Sequence, residues 1–255
     1  MVKTLIVANW KMNKNIEEAI SFINEFKILI KNIKNTEIVI CAPYTPLFEI
    51  KKYIKNTNIK LGAQNMYFEE KGAFTGEISP LMLKDAGCEY VILGHSERRE
   101  FFNEDDSLIN KKLISALNNS LRPILCVGEN LEQRKEGKKE EVIETKLKNC
   151  LKNIDKNQIL GMDICYEPIW AISKGDPNHK AATAEDAEEG HKLVRDILKN
   201  IYDAKTAKNV RVIYGGSMKP ENACDLLSMP NIDVGLVGNA SLDPESFAEV
   251  CKIKN

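Results

Sequence analysis

Short, nearly unbroken apolar runs recur along the chain. Longer stretches separate them, in which apolar residues return every third or fourth position. The short runs are Thr4–Ala8, Glu37–Ala42, Lys60–Ala63, Tyr90–Leu93, Pro123–Val127, Met162–Tyr166, Val210–Tyr214 and Val234–Val237. They are rich in β-branched residues and show little polar alternation, which is how strands of a parallel sheet covered on both faces read. In the longer stretches Ile16, Ile20, Ile23, Phe26 and Ile30 form a helical stripe, and Asn15 with Glu18 can cap its start. Thr45-Pro46, Ser79-Pro80 and Asp243-Pro244 each put a capping side chain before a proline and predict three more helix starts. Further helices are predicted over Asp105–Leu117, Leu131–Leu151, Ala184–Tyr202 and Glu221–Leu227.

Strand and helix alternate throughout, without a linker or a shift in composition. This predicts α/β architecture with a parallel sheet. Periodicity alone leaves an open doubly wound sheet in play. Eight units point instead to a closed (β/α)8 barrel, and 255 residues is the ordinary size of that fold as a single domain spanning residues 1–255.

Composition changes this picture little. Hydrophobic residues make up 43% of the chain, enough for a large core, and the formal net charge of −1 gives no reason to expect nucleic acid or an anionic membrane as a partner. The charge run Arg134–Glu141 mixes signs and reads as a solvated helix face. Seven cysteines without a C-x-x-C spacing read as reduced, buried thiols, which predicts a cytoplasmic location. His95, His179 and His191 form no ligand cluster with them, so no metal is expected, and without a dinucleotide fingerprint no other cofactor is expected either. The apolar run after Lys3 is too short for a signal peptide, and no stretch is long enough to span a membrane.

In a closed barrel, chemistry sits where strands end. The first predicted strand ends in Asn9-Trp10-Lys11, where a lysine is either a cation at the barrel mouth or a surface residue. The fourth leads to His95, followed by Ser96, Glu97, Arg98 and Arg99 just ahead of a possible short helix. A helix N-terminus there would favour the neutral ring. The sixth ends in Glu167, which reads equally as a general base with raised pKa or as a salt-bridge partner. Glycines follow the seventh strand (Gly215, Gly216, then Ser217) and the eighth (Gly238, then Asn239), and paired loops of this kind suit phosphate. The long stretch Gln64–Ser79 has no predicted element yet carries Met66, Tyr67, Phe68 and Phe74. It reads either as a loop that docks into another subunit or as one folded on its own barrel. These residues together describe an isomerase or aldolase-like enzyme of a phosphorylated small molecule.

Seven segments resemble the triosephosphate isomerase family: Asn9–Asn13 (NWKMN), Gly62–Ser79, Val91–Arg99, Cys126–Glu129 (CVGE), Tyr166–Ile172 (YEPIWAI), Tyr214–Pro220 (YGGSMKP) and Leu236–Leu242. The resemblance runs from Asn9 to Phe247 and implies a TIM barrel that interconverts dihydroxyacetone phosphate and D-glyceraldehyde 3-phosphate through an enediolate, in glycolysis and gluconeogenesis. It implies Glu167 as base, neutral His95 as proton shuttle, Lys11 and Asn9 as donors to the enediolate, Glu97 as the partner of Lys11, and Ser96 as the holder of Glu167 in the open site. Pro168, Ile169, Trp170, Ala171, Ile172, Ser173, Lys174 and Gly175 correspond to a closing lid, with Ile172 and Leu236 as an apolar clamp over the carboxylate. Backbone N–H groups of Ser173, Ser217, Gly238 and Asn239 would hold the phosphate, and Phe74, Thr75 and Gly76 would enter the other subunit of a homodimer.

The chain departs from the family pattern in three places. Ser173-Lys174-Gly175 replaces Gly-Thr-Gly, about four residues are inserted around Asp176-Pro177-Asn178-His179, and Asn239 stands at a usual glycine. Asparagine there would cost about 1 kcal/mol if the position needed positive φ. The alternative function these departures raise is a non-catalytic paralogue that binds phosphorylated ligands.

Overall fold

The computed structural model describes residues 4–172 and 181–253. The strands are β1 Thr4–Asn9, β2 Thr36–Ala42, β3 Ile59–Ala63, β4 Tyr90–Leu93, β5 Arg122–Val127, β6 Asp163–Tyr166, β7 Arg211–Tyr214 and β8 Val234–Val237. Each lies parallel to the next, and β8 pairs with β1, so the sheet closes into a barrel. The sequence places each of these strands to within one residue at either end.

Every strand is buried on both faces because its side chains alternate between two cores. In β1, Leu5 and Val7 join Val39, Cys41, Ile92, Cys126, Cys165 and Ile213 inside the barrel. Ile6 and Ala8 join the larger layer between barrel and helices. The barrel floor is polar, and its charged groups pair with one another. Asp163 accepts from Arg211 Nε at 2.7 Å and Arg122 Nε at 2.8 Å, and Tyr90 donates its hydroxyl to Glu37 at 2.6 Å. These charges satisfy one another at the N-terminal ends of the strands and leave the opposite end for the site.

The helices are α1 Ile16–Leu29, α2 Leu47–Tyr53, α3 Pro80–Asp85, α4 Ser96–Phe102, α5 Asp106–Asn118, α6 Leu131–Lys135, α7 Lys139–Cys150, α8 Ala184–Ile201, α9 Ala204–Asn209, α10 Pro220–Ser228 and α11 Pro244–Lys252. Asn15 and Glu18 form the capping box of α1, Ser79 accepts from the Met82 N–H, and Asp243 accepts from the Ser246 N–H. α8 packs close to β6 because residue 190 is glycine: a Cβ there would lie 2.0 Å from the Tyr166 ring.

Three expectations are corrected. Thr45 caps nothing: a turn closed by the Leu47 N–H on Tyr44 O puts Pro46 in the cap position, without a side-chain bond. The stretch Leu131–Leu151 is two helices, because Gly137 at φ +71° turns the chain between α6 and α7. The run Arg134–Glu141 is therefore no single solvated face, and Lys139 within it is largely buried. Helix α9 is not foreseen, since AKTAKN carries no apolar stripe. Asp203 starts it by accepting from the Thr206 N–H at 2.7 Å.

The stretch from Gln64 to Ser79 forms neither strand nor helix until α3 begins. Its neck is closed by the Tyr67 N–H on Ile78 O at 2.8 Å, and Tyr67 packs on Phe68 and Phe74, with centroids 4.4 and 4.7 Å away. Thr75, Gly76 and much of Phe74 remain exposed.

Candidate functional site

The C-terminal ends of the strands surround an open cleft lined by Lys11, His95, Glu97, Glu167, Ile172, Ser217, Leu236, Gly238 and Asn239. Asn9, at the end of β1, is buried beside it and accepts the Lys11 N–H at 3.1 Å. Lys11 adopts φ +51°, a backbone that costs an L-residue about 1 kcal/mol. Gln64 secures it from β3, donating Nε2 to Lys11 O at 2.9 Å and to Cys41 O at 3.0 Å. The ammonium lies 2.7 Å from Glu97 Oε1, so the lysine is aimed across the mouth.

His95 is the N-cap of α4, as its place before a polar segment predicts. Its Nδ1 accepts the Glu97 N–H at 3.3 Å, so the ring proton sits on Nε2, which donates to Glu167 Oε1 at 3.0 Å. Burial disfavours a charged ring, but the adjacent Glu167 carboxylate outweighs it and raises the His95 pKa.

Glu167 is buried, and both its oxygens are engaged. Ser96 donates its N–H at 3.0 Å to one and its hydroxyl at 2.9 Å to the other. Burial alone would raise the carboxyl's pKa. His95 and the two Ser96 donors reverse that and hold it below the usual carboxylate range. The raised pKa expected from sequence is thus corrected for this arrangement: the apolar surroundings are there, but so are three donors. Glycine at 128 is required for the carboxylate's placement, since a Cβ there would fall 1.7 Å from Glu167 O.

The glycine loops lie where expected. The Gly215 N–H reaches Tyr166 O at 2.8 Å, and Gly238 approaches Lys11, whose Cε would be 3.8 Å from a Cβ at 238. The Ser217 N–H is occupied here by Ala171 O at 3.3 Å. Asn239 opens a 3-10 turn, Asn239–Leu242, and is not among the residues with positive φ, so the anticipated cost does not arise.

Pro168 leads into a turn over Ile169–Ala171, with Ala171 buried and Ile172 in the cleft beside Leu236. Sequence reasoning missed what anchors this segment. Buried Glu129 accepts the Trp170 Nε1–H at 2.8 Å and the Tyr166 hydroxyl at 3.1 Å, and its carbonyl accepts the Ile169 N–H. Arg134 lies 4.2 Å over the Trp170 ring and donates to Asp186 at 2.6 Å. The one available signal was Glu129 at the end of CVGE. Ser173, Lys174, Gly175 and the stretch Asp176–His179 lie outside the described residues. Among the described residues no group of His, Cys, Asp and Glu could hold a metal ion, and no helix is long and apolar enough to cross a membrane.

A family model described as triosephosphate isomerase matches residues 4–254. The triosephosphate isomerase of Dictyoglomus turgidum is 50% identical over 252 residues, covering 99% of this chain and all of that protein. That of Finegoldia magna is 50% identical over 251 residues, covering 98% of each. The crystal structure of triosephosphate isomerase from Bartonella henselae superposes with a TM-score of 0.89 at 33% identity, covering 99% of each chain.

Proposed function

The chain belongs to the triosephosphate isomerase family, and on that premise we propose that Glu167, His95, Lys11 and Asn9 carry out its reaction. That reaction interconverts dihydroxyacetone phosphate and D-glyceraldehyde 3-phosphate by proton transfer through an enediolate. The observation that carries the assignment is the convergence of one carboxylate, one Nε2–H donor and one ammonium on a single cleft whose rim is Ser217, Gly238 and Asn239. Glu167 takes a proton from one carbon and returns it to the next. His95 Nε2–H polarises the carbonyl, and Lys11, steadied by Glu97, faces the negative charge that grows on the oxygens.

Glu167 has to leave Ser96 to reach substrate. Closure of the segment from Pro168 onward, including Ser173, Lys174 and Gly175, brings Ile172 and Leu236 over the carboxylate. Excluding water then raises its basicity. The phosphate is held on N–H groups of Ser173, Ser217, Gly238 and Asn239, and Ser217 gives up Ala171 O to take it.

The enzyme works in glycolysis and gluconeogenesis, in the cytoplasm, as a homodimer. Free cysteines, six of them buried, support a reducing compartment. The exposed large apolar side chains Met12, Phe74, Phe101, Phe102, Leu81 and Met82 support a partner subunit. A monodisperse monomer at micromolar concentration in light scattering would remove the dimer. The catalytic assignment is tested in a coupled assay of glyceraldehyde 3-phosphate conversion, wild type against Glu167→Gln. Fast wild-type turnover with a loss of about a thousandfold or more in the variant is expected. Equal rates would remove Glu167 from the role of base, and negligible wild-type turnover in a folded dimer would favour the non-catalytic paralogue.

A further inference from the structure

The segment that leaves β1 carries two sets of contacts on opposite sides. Asn9 and Lys11 serve the cleft. Trp10 and Lys14 face the other way, toward the turn that follows β8. Trp10 is fully buried, edge-on to Phe22 at 5.0 Å, and donates Nε1–H to Ser241 O at 3.1 Å. The Lys14 ammonium sits 4.9 Å from the Phe22 ring centre and 5.5 Å from that of Trp10. It donates to Leu242 O at 2.8 Å.

These two carbonyls belong to the 3-10 turn Asn239–Leu242, which begins with the N–H groups proposed to hold phosphate. Ser241 ties the turn internally, through its N–H at 2.8 Å and hydroxyl at 2.6 Å to Gly238 O. Lys14 holds φ +71°, a conformation glycine would adopt at less cost, and Asn13 braces the bend by donating to Trp10 O at 2.7 Å. Glu18 and Asp243 act electrostatically on the ammonium, yet its hydrogen bond goes to a carbonyl. Removing Lys14 therefore leaves the end of the turn without its donor.

We propose that Lys14 is a positioning residue for the substrate phosphate: its ammonium, seated on Trp10 and Phe22 and bonded to Leu242 O, fixes the turn so that the Gly238 and Asn239 N–H groups stay aimed into the cleft. Lys14 touches neither the reacting carbons nor the catalytic groups, so its effect falls on the phosphate end of the substrate. The inference rests on the proposed phosphate role of Gly238 and Asn239.

The test compares wild type, Lys14→Met, Lys14→Gln and Lys14→Arg. The readouts are kcat and KM for glyceraldehyde 3-phosphate, kcat/KM for unphosphorylated glyceraldehyde, and the inhibition constant of inorganic phosphate. Amide NMR of Gly238 and Asn239 in wild type during phosphate titration checks the underlying reading. If those two signals do not move, the phosphate assignment itself fails and the inference with it. If they move, Lys14→Met is expected to raise both the KM for the phosphorylated substrate and the phosphate inhibition constant about tenfold. It should leave the glyceraldehyde reaction unchanged, and Lys14→Arg should restore most of the loss. An unchanged phosphate constant, or equal losses on both substrates, overturns the role of Lys14 while the phosphate assignment stands. If Lys14→Met shows no cooperative unfolding transition, the decision passes to Lys14→Gln against Lys14→Arg, with the same readouts and the same two overturning results.

Discussion

Ser96 holds both oxygens of Glu167, through its N–H at 3.0 Å and its hydroxyl at 2.9 Å. These donors keep the Glu167 carboxylate weakly basic in this arrangement, and in the proposed mechanism its basicity rises when it leaves them. Ser96→Ala deletes one donor and should raise the carboxyl's pKa in the free enzyme. A base with a raised pKa is protonated at higher pH, so the acid limb of kcat/KM should move to higher pH. The measurement is the pH–rate profile of the variant beside wild type. A limb that stays in place, or moves down, would show that the hydroxyl does not set this titration.

Trp170 and Arg134 tie the turn Ile169–Ala171 to Glu129 and to the first turn of α8. Trp170→Phe keeps the ring under Arg134 but removes the 2.8 Å bond to the Glu129 carboxylate. A hydrogen bond to a charged group at a half-buried position should be worth about 1–2 kcal/mol. Urea unfolding at fixed protein concentration measures it. A loss under about 0.5 kcal/mol would mean that Tyr166 and Arg134 already satisfy Glu129.

The barrel is legible in the sequence because strands covered on both faces leave apolar runs that no helix period imitates, as in β2 and β5. Asn9, Lys11, His95 and Glu167 are legible as polar residues at the ends of such runs. The sign of the Glu167 pKa shift is not, because burial can be guessed from an apolar neighbourhood while the Ser96 and His95 donors come from a distant strand end. Arg134 is hidden for the same reason. Its charge run looks solvated, and only the break at Gly137 and the arrival of Trp170 and Asp186 show otherwise. Gln64 looks like the start of a loop until its amide is seen holding the left-handed backbone of Lys11.

Lys112 is a buried cation whose partners are Glu104 at 2.6 Å and Asn65 at 2.9 Å. Lys112→Met leaves Glu104 buried with Arg98 alone, and stranding a buried charge in this way should cost about 3 kcal/mol. Adding Glu104→Met removes the stranded carboxylate as well and should recover part of that loss. The double-mutant cycle by chemical denaturation gives the coupling. If the double variant is no more stable than Lys112→Met alone, the stranded-charge argument is wrong.

His191 in α8 is fully buried against Tyr166, edge-on at 5.7 Å, and Tyr214 at 6.1 Å. Its Nδ1 meets Ala187 O at 2.7 Å, and the Ile213 carbonyl also acts on the ring. Burial, aided by the nearby charges of Arg195 and Lys139, pushes its pKa down from 6.5 to about 4. The folded protein therefore keeps the ring neutral over a range in which the unfolded chain protonates it. The sign follows directly: stability is full above pH 6.5 and is lost as pH falls toward 4, by about 3 kcal/mol over the whole interval. His191→Gln removes this titration. The remaining titratable groups titrate alike in both proteins, so the difference in unfolding free energy isolates the histidine. Wild type should lose about 3 kcal/mol more than the variant between those two pH values. Parallel profiles would show that the ring titrates in the folded protein as it does in the unfolded chain, and would remove the cost of its burial.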